Sequence, residues 1–196
     1  MSERYAFIDG TRRMYEEVKT EEQKQRIKED IKKSLIANLT NDLDNVIDRI
    51  LESPSMGIID VTNTKFGLML LESIVGYALG FFFSTIAMCG ITAERLCMDI
   101  LLRCKLELDG KPLQTDELEP LLNIPHSQLI ELLFQWKIIE EEIKNKLHQI
   151  KDTRNKYIHP DIIPSGMTAL EREELKSNAL KILTHLKEVL SKTFPF

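Results

Sequence analysis

"SIVGYALGFFFSTIAMCGITA", Ser73 to Ala93, runs for twenty-one residues without a charge. A stretch of that length is close to what a bilayer-spanning helix needs, about 20 residues. The flanks read otherwise. Glu72 precedes it, and the pattern continues as "ERLCMDILLRCKL", where Leu96, Ile100 and Leu101 alternate with Glu94, Arg95, Asp99 and Arg103. Neither side carries the Lys/Arg bias of a membrane anchor. The stretch reads as a core helix covered on all sides, with a transmembrane span as the competing reading. The helix is expected from about Lys65 through Arg103, with a break near Gly90 and Thr92 as a new cap. Gly76, Gly80 and Ser84 form a ridge of small side chains that serves either core packing or a helix-to-helix dimer seam.

The rest of the chain agrees with an all-α fold. Eight Gly and 7 Pro in 196 residues leave little for turn-dense β architecture. Hydrophobic content of 43% and charged content of 29% belong to a folded globular protein. "KQRIKEDIKKSLIANLTNDLDNVIDRIL" sets Ile27, Ile31, Leu35, Leu39, Leu43, Val46, Ile47 and Ile50 at three- and four-residue steps, behind a capping box of Thr20 with Gln23. "LDGKPLQ" is a turn, and "TDELEPLLNIPHSQLIELLFQWKIIE" reads as a short helix, a tight turn and a longer helix. Its outline is that of a helix-turn-helix. The second helix holds one lysine and no arginine, too few cations for reading DNA. A further helix spans about Ile138 to Ile158, and a last one opens on the capping box Thr168 with Glu171. The expectation is one domain over 1–196, an up-and-down bundle of about five to seven helices. Residues 1–19 form an N-terminal extension and 109–125 an inter-helix insertion.

Cys89, Cys97 and Cys104, spaced by eight and seven, match neither a zinc knuckle nor a CxxC redox pair; buried reduced thiols of a cytoplasmic protein are expected. The amino terminus lacks a cationic-then-apolar signal pattern, so no export is implied. His126 and His148 have no partners at metal spacing and receive no role, and no cofactor is expected.

"RNKYIHP", Arg154 to Pro160, poses the functional question. Ile143, Leu147 and Ile150 lie on one helical stripe with Trp136 and Ile158, and Arg154 falls within it. A guanidinium there must be paired or face a wet cleft, because it cannot shed its charge. Asn155 is adjacent, and Pro160 biases His159 away from helical geometry. Histidine can move a proton to or from a ribose hydroxyl or leaving oxygen. Arginine matches phosphate oxygens, and an asparagine amide can orient either. Between Lys144 and Lys156 five cations stand against Asp152 alone, within a chain of formal charge −5. That is a local footprint for an anion such as RNA, with Lys151 and Lys156 as its binding residues. The competing reading is a helix terminus whose cations oppose the macrodipole.

Arg154, Asn155 and, after four intervening residues, His159 resemble the signature of the HEPN superfamily, in a similar setting near the end of a late helix. The resemblance implies a helical bundle that often dimerises, bringing two motifs into one cleft. It implies metal-independent endoribonuclease activity in active members, commonly in toxin, anti-phage or stress systems. An antitoxin or regulatory protein is then a further partner. Carried over, Arg154 holds the scissile phosphate, His159 is the acid/base and Asn155 supports them; Glu94 is the nearest candidate for an accessory carboxylate. Other families of the group are inactive helical interaction or nucleotide-binding modules.

Overall fold

The computed structural model describes residues 20–54, 66–104, 107–108, 111–112, 121, 123–158 and 168–193. The chain divides into two compact units, Met1–Asn45 and Val46–Phe196. Among the described residues there are seven α-helices and one minimal antiparallel ladder, an all-α helical bundle as the periodicities predict.

In the first unit, α1 (Glu21–Asn41) opens on the expected cap: the Gln23 amide donates to Thr20 Oγ1 at 3.4 Å, and that hydroxyl donates to Gln23 Oε1 at 2.9 Å. The long helix expected to continue past residue 41 stops there. Asp42 accepts from Asn45 Nδ2 at 2.9 Å as α2 (Leu43–Glu52) begins, and Val46 onward belongs to the second unit.

In that second unit α2 inverts the reading of its apolar stripe. Ile47 and Ile50 are exposed, whereas Arg49 is buried at 9% exposure. The arginine has a specific task at the end of α3 (Gly67–Ala78). There the Phe81 amide bonds Gly76 O at 2.7 Å and the Gly80 amide bonds Tyr77 O at 3.0 Å, with Gly80 at φ +77°. This is a Schellman cap, and its left-handed position favours a residue without Cβ. Arg49 Nε donates to the freed carbonyl of Ala78 at 2.8 Å. The chain then enters α4 (Phe82–Arg103).

The break therefore lies at Leu79–Phe81, not near Gly90, which is buried mid-helix. Thr92 is no cap: its hydroxyl donates to Met88 O at 2.7 Å inside α4. Of the small-residue ridge, Gly76 is used in packing within the chain, while Ser84 is exposed. A Cβ on Gly76 would stand 3.1 Å from Thr85 Oγ1, so Gly76 lets α3 and α4 approach closely. The uncharged stretch thus forms two arms of one corner. Among the described residues no helix is long and apolar enough to cross a membrane.

After α4 come β1 (Glu107–Leu108) and β2 (Lys111–Pro112), antiparallel with Glu107 opposite Pro112; residues 109 and 110 of the turn expected there lie outside the described residues. Of the short helix expected before "NIP", only Leu121 is among the described residues. Then follow α5 (His126–Gln135), α6 (Glu141–Ile158) and α7 (Ala169–Thr193). α5 ends on a second Schellman cap, with the Ile138 amide on Leu133 O at 2.9 Å and Lys137 at φ 57°. This turn takes Trp136 out of the α6 stripe and leaves it exposed. α7 opens as expected: the Glu171 amide donates to Thr168 Oγ1 at 3.2 Å, and the Thr168 amide to Glu171 Oε2 at 2.7 Å. α4 is the hub, packed on α3, α5, α6 and α7. Ile86, Ala93, Leu96, Leu147, Ile150, Leu183 and Leu186 are completely buried in the core, which supplies the main driving force for folding.

Candidate functional site

Ile143, Leu147 and Ile150 point α6 into the core, and one turn later the same stripe delivers Arg154. The arginine finds room because α4 carries Gly90 opposite it. A Cβ on Gly90 would stand 2.4 Å from Arg154 Cδ and 2.9 Å from its Cγ. The aliphatic stem therefore lies on the bare helix backbone, and the guanidinium reaches one turn along α4 to Glu94. Arg154 Nη1 lies 3.7 Å from Glu94 Oε2, with the two side chains 31% and 32% exposed. That is an ion pair beyond hydrogen-bond distance, not the bidentate fork that arginine and carboxylate make when locked together.

Beneath this pair α4 and α5 meet. His126, the first residue of α5, is buried, with Nε2 3.6 Å from Cys97 Sγ and, among the described residues, no partner on Nδ1. Burial, and then the charges of Arg154, Lys151 and His148, pull its pKa down to about 4. The imidazole is thus neutral at ordinary pH. Burial raises the Cys97 thiol well above the usual range, with Glu94 adding to it, and pushes Cys89 up to about 12. Neither is a nucleophile at neutral pH.

The remaining site residues are distributed differently. Asn155 is exposed and, among the described residues, makes no hydrogen bond with Arg154. His159 lies outside the described residues. Lys156 Nζ bonds Glu174 Oε1 at 2.8 Å, and Tyr157 donates to the same oxygen at 3.1 Å while accepting from Asn178 at 2.8 Å, which ties the end of α6 to α7. Lys151 pairs with Asp152 at 3.0 Å. Lys144 is 3.5 Å from Glu131, and Lys146 binds Glu142 and Glu188. The surplus of positive charge counted along α6 is therefore offset in space by carboxylates, several from α5 and α7. His148 is half-buried, with Nε2 2.8 Å from Glu131 Oε1.

Sequence reasoning missed Gly90 as the seat for Arg154 and the contact between Cys97 and His126. The first had a signal: a glycine inside a helix, one turn before the carboxylate that ends an uncharged stretch. The second had none, since twenty-eight residues separate the partners. Among the described residues no group of three or more His, Cys, Asp or Glu could hold a metal ion. No family model, curated protein or solved structure matches the chain.

Proposed function

We propose that the chain is a metal-independent endoribonuclease of the HEPN type, acting as a homodimer in the cytoplasm in a toxin, anti-phage or stress response. One observation carries this reading: Arg154 is set over Gly90 at the rim of the core, one-third exposed, with no hydrogen bond on its guanidinium among the described residues. Such a group presents a fixed charge and free N–H donors to a phosphate. His159, five residues on, supplies the proton chemistry. The ribose 2′-oxygen attacks phosphorus as its proton passes to one imidazole. The P–O5′ bond breaks as the leaving oxygen takes a proton from the second protomer's His159. The products are a 2′,3′-cyclic phosphate and a 5′-hydroxyl. Three free cysteines, two of them buried, suit a reducing compartment. An apolar stripe on α3, with Leu68 at 69% exposure followed by Leu71 and Val75, supports a second copy as partner.

Incubating purified protein with RNA in EDTA, beside His159→Ala and Arg154→Ala, tests the activity. Cleavage should be lost in both variants; equal cleavage by all three proteins refutes it. Light scattering of Leu71→Glu tests the dimer, which should dissociate. A second reading, an inactive helical module that binds a nucleotide or partner protein, is favoured by the offsetting of Lys151 and Lys156 by carboxylates. It predicts no cleavage but a ligand-dependent rise in Tm.

A further inference from the structure

The ion pairs among the described residues differ in how firmly they are held. Architectural ones are held from several sides: Glu142 is gripped by Lys146 and Lys192, and Glu174 by Lys156 and Tyr157. In both, lysine or tyrosine hydrogen bonds hold the carboxyl below the usual range. The pair of Arg154 with Glu94 is held less firmly. Its separation is 3.7 Å, both side chains are about one-third exposed, and neither makes a hydrogen bond among the described residues. Among the described residues nothing else holds the Glu94 carboxylate where it is. The arginine, by contrast, is held, because its stem lies on the backbone at Gly90.

A carboxylate and a phosphate present the same thing to a guanidinium: anionic oxygens that accept from its planar fork. We propose that Glu94 is a built-in competitor for the phosphate that Arg154 is to hold, so that ligand binds only by displacing the carboxylate. This rests on the reading of Arg154 as the phosphate-holding group. The mobile member is the carboxylate, which can swing off α4 into water, while the arginine stays in place. Glu94 thereby sets a threshold: an isolated weak anion leaves the pair closed, and a phosphodiester positioned by further contacts opens it.

The test is fluorescence anisotropy on the full-length chain with a labelled single-stranded 2′-O-methyl RNA, which cannot be cleaved. Glu94→Gln keeps shape and removes the charge. It should tighten binding about two- to fivefold, the range open to an exposed ion pair. In the Arg154→Ala background the same change should have no effect. Binding seen only in Glu94→Gln also supports the proposal. Unchanged or weaker binding by Glu94→Gln, with Arg154→Ala weakened, overturns the competitor role and leaves Arg154 as phosphate holder. Arg154→Ala binding as tightly as wild type overturns both.

Discussion

Arg49 donates Nε–H to the carbonyl oxygen of Ala78 at 2.8 Å, and its guanidinium carbon lies 3.5 Å from where a Cβ on Gly80 would begin. A buried charge on α2 thus closes the end of α3. Arg49→Met keeps the stem and removes the charged donor, leaving a helix-end carbonyl unpaired. Urea unfolding should show a loss of about 1.5–3 kcal/mol, the usual worth of a hydrogen bond to a charged group.

Gly90→Ala should separate stability from function. Alanine gains about 1 kcal/mol of helix propensity. The new methyl meets the stem of Arg154, and overpacking costs about 1–3 kcal/mol. Net stability should fall by about 1 kcal/mol in denaturant melts. Anisotropy with the same oligonucleotide should meanwhile show binding weakened toward the level of Arg154→Ala, because the guanidinium has left its seat.

His126 predicts an acid limb. Its folded pKa, about 4, lies below the ordinary 6.5, so the unfolded chain binds a proton that the folded chain refuses. Its contribution to stability is full above pH 6.5 and is lost as pH falls toward 4, by about 3 kcal/mol. The charges of Arg154, Lys151 and His148 that face it deepen the effect. Urea unfolding from pH 7 to 4 should trace this decline, and His126→Leu should flatten it.

Lys137 holds a left-handed backbone at φ 57° at the end of α5, where glycine is usual. The side chain is exposed, so nothing else changes on its removal. Lys137→Gly should raise stability by about 0.5–1 kcal/mol, read as a shift of the urea midpoint at unchanged slope.

The helices were legible wherever apolar spacing and caps agreed. Thr20 with Gln23 and Thr168 with Glu171 mark true starts, and Ile143, Leu147 and Ile150 mark a true inner face. Periodicity fails on α2, where it turns Ile47 and Ile50 inward and Arg49 is the buried group instead. A helical wheel weighs hydrophobicity, and it does not see the unpaired carbonyl on another helix that makes an arginine worth burying. It fails again at Gly80, since an uncharged run has no polar face to mark a change of direction. In the site, the inward placement of Arg154 was visible from its stripe, while its seat and the neutralising carboxylates belong to other helices. A charge count along one segment omits what packing brings beside it.

The corner at Gly80 also has a meaning for biogenesis. Both arms of the uncharged stretch emerge from the ribosome well before the helices that cover them. Leu183 and Leu186 follow Ala93 by roughly ninety residues, about 5–20 s of synthesis. The bend at Gly80, held by the earlier-translated Arg49 at Ala78 O, divides the uncharged run into two arms, each shorter than the roughly 20 residues a bilayer-spanning helix needs.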